Sequence, residues 1–263
     1  STSASVEINN RGTSLGAQAD DDATARLLEV GAVTLDDVKE LDVTVEDGGA
    51  SVNQLIGDAL TDITITASGD LTLGKATVDS TDGKAKILED DATKLDNPVS
   101  SDSSGTLESI DARDVEGELT LALEDDLGSD DDQDFEFTGG DGGVNLDLGN
   151  QDNVNDNEIE VTTGSGDDTI TVNKVSVDPN DASNTRTLTV NVGDGNDTVV
   201  FDNNISTNTL VDHTLAFGDG DNDTLDVANS VTASLGTDVD VTGLETIALR
   251  GSATLTLDVR ELE

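Results

Sequence analysis

The sequence predicts an all-β protein, an elongated parallel β-solenoid or β-roll-like stack with coils of about 25 residues. Three observations carry that expectation. Apolar and polar residues alternate over short stretches bounded by Gly, Asp and Asn clusters. A glycine-acid turn recurs at nearly constant spacing. The chain of 263 residues contains only 2 prolines and 4 aromatic residues, all Phe, so its core must be layered from small branched and aliphatic side chains.

Residues 1–60 are less regular, and are expected to form a cap or assembly segment of mixed short helix and strand. Asp20-Asp21-Asp22 ahead of Ala23 to Val30 and Gly31 has the acidic start and glycine stop of a short helix. Leu41, Val43 and Val45 alternate as a strand, and Ser51 to Leu60 is expected to form one or two helical turns. Residues 61–263 are expected to be the solenoid proper. Period-two alternation runs through Ile63-Thr64-Ile65, Leu71-Thr72-Leu73, Leu119 to Leu123, Val144 to Leu148 and Leu188 to Val192, and continues to Leu255-Thr256-Leu257. Asp96 to Gly105, with Pro98, and Asp178 to Asn184, with Pro179, are expected loops. Asp130 to Asp134 and Asp152 to Glu158 are expected to be solvated loops as well.

Two repeats organise this region. Leu107-Glu108-Ser109-Ile110 followed by Gly117 and Leu119-Thr120-Leu121 matches Leu244-Glu245-Thr246-Ile247 followed by Gly251 and Leu255-Thr256-Leu257, with Ile63 to Leu73 a weaker copy. The second repeat is the turn itself: Gly164-Ser165-Gly166-Asp167-Asp168, Gly193-Asp194-Gly195-Asn196-Asp197 and Gly218-Asp219-Gly220-Asp221-Asn222-Asp223. Gly140-Asp141-Gly142-Gly143 is a degenerate fourth that has lost its last Asp. The second glycines, Gly142, Gly166, Gly195 and Gly220, are spaced by 24, 29 and 25 residues. Such spacing places the turns at one corner of successive coils, so their acidic groups stack along an edge.

Charge excludes several functions. With 58 Asp+Glu against 12 Lys+Arg the net charge is −46, which rules out nucleic-acid binding by phosphate neutralisation and attachment to anionic lipid through a basic face. Val199-Val200-Phe201 is among the longest apolar runs, far short of the roughly 18 residues of a membrane-spanning helix. Leu, Ile, Val and Phe make up about a quarter of the chain, above the roughly 20 % below which a charged chain stays unfolded. No cysteine is present, so there is no disulfide or thiolate metal site, and any metal must favour oxygen. The sequence begins without Met and ends in Leu262-Glu263, which suggests a processed or excised chain.

The turn chemistry points to calcium. Two glycines let the backbone curl and aim carbonyl oxygens inward, and an Asp two positions after the second glycine adds a carboxylate. Calcium takes six to eight oxygens at about 2.3–2.6 Å, which one turn cannot supply and two stacked turns can.

These turns resemble the calcium-binding nonapeptide repeats of RTX exoproteins, Gly-Gly-x-Gly-x-Asp-x-apolar-x. The resemblance implies Asp168, Asp197 and Asp223 as carboxylate ligands. It implies backbone carbonyls of Ser165, Asp194 and Asp219, and of Asp167, Asn196 and Asn222, as helpers, with Asp221 in the same turn. The turns depart from the family in lying some 25 residues apart instead of in tandem, and Thr163, Val192 and Phe217 replace the first glycine. The Leu-Glu-Ser/Thr-Ile unit is similar to repeats of RTX-related surface-layer proteins, the Caulobacter type in particular, and of large adhesins of Gram-negative bacteria. That resemblance spans roughly residues 60–263. It implies type I secretion, calcium-dependent folding outside the cell and self-assembly into a surface layer, filament or adhesive matrix. The expected partners are further copies of the chain and cell-surface polysaccharide, without membrane insertion.

Other readings compete. A salt-adapted acidic surface without specific calcium sites would share this composition. Catalysis is not expected: His213 is the only histidine and is taken as a surface residue, and a carbohydrate-active solenoid would need aromatic platforms that four Phe scarcely provide. Thr64 and Thr66, or Thr254 and Thr256, resemble threonine arrays of ice-binding β-helices, but no ladder at the coil period is evident in the sequence.

Overall fold

The computed structural model describes residues 3–9, 28–35, 38–46, 48–57, 60–73, 87–89, 107–123, 134–151, 158–172, 174–175, 187–202, 205–206, 213–235 and 239–257. Every regular element among them is a strand. In chain order these are β1 (Ser3–Asn9), β2 (Leu28–Leu35), β3 (Glu40–Glu46), β4 (Ala50–Gly57), β5 (Asp62–Ala67), β6 (Leu71–Leu73), β7 (Ile87–Glu89) and β8 (Ser109–Val115). They continue with β9 (Leu119–Ala122), β10 (Phe135–Gly139), β11 (Val144–Asp147), β12 (Asn150–Gln151), β13 (Glu158–Thr162), β14 (Thr169–Val172), β15 (Lys174–Val175) and β16 (Thr187–Asn191). The last are β17 (Thr198–Phe201), β18 (Ile205–Ser206), β19 (His213–Ala216), β20 (Thr224–Val227), β21 (Thr232–Leu235), β22 (Val239–Thr242), β23 (Thr246–Leu249) and β24 (Thr254–Leu257).

The strands stack as a parallel β-solenoid. One wall orders β1-β3-β5-β8-β10-β13-β16-β19-β22; the second orders β2-β4-β6-β9-β11-β14-β17-β20-β23, with β7 also on β4. Short sheets β12-β15 and β18-β21-β24 add a third, partial side. Each coil thus runs from the first wall, through a turn, to the second. Along the first wall Phe135 pairs Ile159, Glu158 pairs Thr187 and Thr189 pairs Thr214, which are steps of 24, 29 and 25 residues. These are the intervals between the glycine-acid turns. The coil from Asp62 to Ser109 spans 47 residues. The expected loops at 96–105 and 178–184 lie outside the described residues.

Parallel strands buried between two walls need apolar side chains at alternate positions. Leu41, Ile63, Ile110, Phe137, Val161, Val190, Leu215 and Val241 line up from coil to coil on the first wall. Opposite them Val52, Leu73, Leu121, Leu146, Ile170, Val199 and Leu225 do the same on the second. All are buried, as are all four Phe. Coil interiors therefore pack chiefly against neighbouring coils, as in other quasi-one-dimensional proteins.

Several expectations are corrected. The helix expected over Ser51 to Leu60 is strand β4, and the C-terminal part of the one expected over Ala23 to Gly31 is β2. Both follow from tertiary pairing: β4 finds β2 and β6 as partners, and a ready-made parallel edge overrides weak local helical preference. β1 to β4 join the same two walls as the later coils. The two Leu-Glu-Ser/Thr-Ile units are not equivalent in space. Ile110 lies on the first wall and Ile247 on the second, so the same strand-glycine-strand signal serves two different corners. The weaker copy is equivalent to the first, with Ile63 beside Ile110 and Leu71 beside Leu119.

A threonine column also exists, hidden by unequal coil lengths. Thr72, Thr120, Asn145, Thr169, Thr198, Thr224 and Thr246 follow one another on the outer side of the second wall. Most of these threonines are half-buried, and such pairs contribute about 0.2–1 kcal/mol each to a sheet.

His213 is not on the surface. It is 4 % exposed on β19, and its Nδ1 accepts the Leu188 N–H at 2.7 Å. In the strand its ring occupies the inward column of Phe135, Ile159, Leu188 and Val239.

Candidate cation-binding corner

The candidate site is the corner where each coil passes from the first wall to the second. Residues 163–168 join β13 to β14, 192–197 join β16 to β17, and 217–223 join β19 to β20. The corner must be tight, because successive turns lie against one another. A Cβ on Gly193 would sit 1.8 Å from the Gly164 carbonyl oxygen, and one on Gly218 would sit 1.6 Å from that of Gly193. Both glycines also have positive φ, +73° and +71°.

The ten expected site residues divide into two sets. Asp168, Asp197 and Asp223 point inward and are 1 %, 0 % and 0 % exposed. Ser165, Asp167, Asp194, Asn196, Asp219, Asp221 and Asn222 are exposed along the outer rim.

The inward carboxylates form a ladder. Val144 N–H donates to Asp168 Oδ1 at 2.7 Å, Asp168 N–H to Asp197 Oδ1 at 2.8 Å, and Asp197 N–H to Asp223 Oδ1 at 2.8 Å. Asp223 N–H in turn donates to Glu245 Oε2 at 2.8 Å. Each carboxylate thus receives the amide of the equivalent position in the preceding coil. Val144 occupies that position in the degenerate turn and begins the ladder with its amide alone. Glu245, which ends it, was not among the expected site residues. Its signal was the spacing Gly243-Leu244-Glu245, which repeats Gly195-Asn196-Asp197 with one more methylene.

The other oxygen of each inward carboxylate has no hydrogen-bond partner. Asp168 Oδ2, Asp197 Oδ2 and Asp223 Oδ2 are all buried and unpaired. Neighbouring strands are about 4.8 Å apart, so three like charges are stacked out of water at close range. Burial pushes the Asp168 carboxyl up to about 6, although the Thr163 hydroxyl and Val144 amide oppose it. Burial pushes Asp197 up to about 7, opposed by the Asp168 amide and reinforced by the charges of Asp168 and Asp223. Asp223 is raised too, by burial first and by Glu245.

The outer rim carries its own ladder. Asn196 donates its backbone N–H to Asp167 Oδ1 at 2.9 Å and its Nδ2 to the same oxygen at 3.2 Å. Asn222 Nδ2 donates to Asn196 Oδ1 at 3.1 Å. Some carbonyls are already engaged: Asp219 O accepts Gly195 N–H at 3.2 Å, and Asn222 O accepts the Thr224 hydroxyl at 3.3 Å. Asn196→Ala removes the middle of this ladder at an exposed position, and is expected to cost about 1 kcal/mol in urea unfolding without changing metal response.

The donor set suits a hard divalent cation. Each inward Asp offers one unpaired oxygen, and turn carbonyls lie in the same corner. Among the described residues no three acidic or histidine side chains converge on one point. An ion here would bridge the Asp residues of two adjacent coils and complete its shell with carbonyls and water. In comparison with known proteins, no family model, no curated protein and no solved structure matches the chain.

Proposed function

We propose that the chain is a structural, calcium-dependent extracellular protein that self-assembles into a surface layer, filament or adhesive matrix and carries out no catalysis. The observation that supports this reading is the column Asp168-Asp197-Asp223, three buried carboxylates each with an unpaired oxygen. Calcium bound between successive carboxylates would neutralise the column and clamp coil to coil. Asp168, Asp197 and Asp223 would hold the ions, and the turn backbones would orient them.

The function follows from charge. At −46 over 263 residues, the calcium-free chain repels itself, which favours an expanded, exportable state. Extracellular calcium would fill sites of about 10⁻⁴–10⁻³ M affinity and couple binding to folding. Exposed rim carboxylates such as Asp194 and Asp219 would then share further ions between neighbouring copies or with acidic surface polysaccharide.

A second reading, an acidic surface adapted to salt, is favoured by the first wall's outer side. There Glu40 stacks beside Asp62 and Glu136 beside Glu160, and monovalent screening would suffice. A calcium titration of EDTA-stripped protein, followed by far-ultraviolet circular dichroism, separates the two. The calcium reading expects the β-structure to be marginal in EDTA and strongly stabilised at sub-millimolar to millimolar calcium, and not with sodium at matched ionic strength. A chain as stable in EDTA as in calcium, or equal stabilisation by sodium, would overturn it.

A further inference from the structure

The three inward carboxylates hold equivalent places in their ladder, but the two gaps between them differ. Each turn opens on a residue that continues the register of the first wall, where Thr162 pairs Asn191 and Asn191 pairs Ala216. The next positions are Thr163 in the coil of Asp168, Val192 in that of Asp197 and Phe217 in that of Asp223. All three are buried, and Thr163, at 6 % exposure, is the only polar one.

The Thr163 side chain is fixed between its two neighbouring coils. Its γ-methyl lies 3.4 Å from where a Cβ on Gly139 of the preceding coil would sit, and its hydroxyl donates to the Val192 carbonyl oxygen of the following coil at 2.9 Å. The hydroxyl therefore faces the gap toward the following coil. The Asp168 N–H crosses that same gap to reach Asp197 Oδ1 at 2.8 Å. The hydroxyl also stands close enough to the Asp168 carboxyl to oppose the effect of burial on it. One gap thus gathers the buried, unpaired Oδ2 atoms of Asp168 and Asp197, the Thr163 hydroxyl and the Val192 carbonyl. The hydroxyl gives its single proton to that carbonyl and keeps its lone pairs for a cation. One coil further on, Val192 sets methyl groups where Thr163 has its hydroxyl, and the Phe217 ring follows. The gap between Asp197 and Asp223 therefore has its carboxylate oxygens but no hydroxyl beside them.

We propose that Thr163 is a further ligand that makes the two gaps unequal, so that a divalent cation fills the Asp168–Asp197 gap first and the Asp197–Asp223 gap second. The inference rests on the calcium reading above and specifies the order of filling. A hard cation gains from each added oxygen, and a hydroxyl supplies one without adding another negative charge to the column. Ordered filling gives the stack a direction: the coils of Asp168 and Asp197 are clamped at lower calcium than the pair that follows.

The test titrates calcium calorimetrically into the full-length, chelator-stripped protein, with circular dichroism recorded on the same samples. The parent is expected to show two classes of site that differ about tenfold or more in affinity. Asp223→Asn should keep only the tighter class and Asp168→Asn only the weaker. Thr163→Val should weaken the tighter class about tenfold, and Thr163→Ser, which retains the hydroxyl, should restore it. Val192→Thr should strengthen the weaker class, a gain that altered packing alone does not give. Should Thr163→Val lose its dichroism, Val192→Thr decides by itself. Two equal sites in the parent, an unchanged tighter class in folded Thr163→Val, or an unchanged weaker class in Val192→Thr would overturn the proposal and leave the calcium reading standing. No calcium binding in the parent or any variant would overturn both.

Discussion

Asp197→Asn is expected to raise stability in EDTA at about pH 7.5 by about 2 kcal/mol, and to abolish most of the stabilisation that calcium gives the parent protein. Asn keeps an oxygen for the Asp168 amide but removes the middle charge of a buried column of three. Without metal that charge only repels Asp168 and Asp223; with metal it is a ligand. The sign of the effect therefore changes with calcium, and urea unfolding in the two buffers measures it. Asp197→Ala differs, because it strands the buried Asp168 amide and costs about 1–3 kcal/mol in EDTA.

The pH dependence has the same origin. Asp168 and Asp197 are held at about 6 and about 7, above the roughly 3.9 of an unfolded chain. Between these values the folded state binds more protons than the unfolded one. Its contribution to stability is fully present below about pH 4 and is lost as pH rises through 6 to 7. In EDTA the protein should thus be more stable at about pH 5 than at about pH 7.5. Protons compete with calcium for the same oxygens, so saturating calcium should reverse that order.

Gly218→Ala is the second large effect, expected to cost about 3–5 kcal/mol whether calcium is present or not. The residue has φ of +71°, where a Cβ is strained, and that Cβ would lie 1.6 Å from the Gly193 carbonyl oxygen. Backbone faces it, so no rotamer change relieves the clash and the coils must separate at the corner. A thermal or urea melt that shifts little would mean that the turns do not pack as described.

The glycine-acid turns were legible because they combine a backbone requirement with a fixed place in the coil. Their spacings became the strand register, and their last Asp residues became the inward column. What was missed depends on contacts between coils. β4 reads as helical in isolation and becomes a strand by pairing with β2 and β6. His213 looked like a solvent residue in a polar stretch, yet its ring takes an inward place and the Leu188 amide. Glu245 is hidden by its extra methylene, and the threonine column by coil steps that vary between 22 and 48 residues. The rim ladder was not legible either, because the side chains of Asp167, Asn196 and Asn222 meet only between coils.

The most direct measurement counts calcium ions calorimetrically on the parent protein and on the triple variant Asp168→Asn, Asp197→Asn, Asp223→Asn. The account predicts about two ions bound between successive inward carboxylates of the parent, and their loss in a triple variant that still folds in EDTA. Equal stoichiometry and affinity in the two proteins would contradict it, and would place any calcium on the outer rim alone.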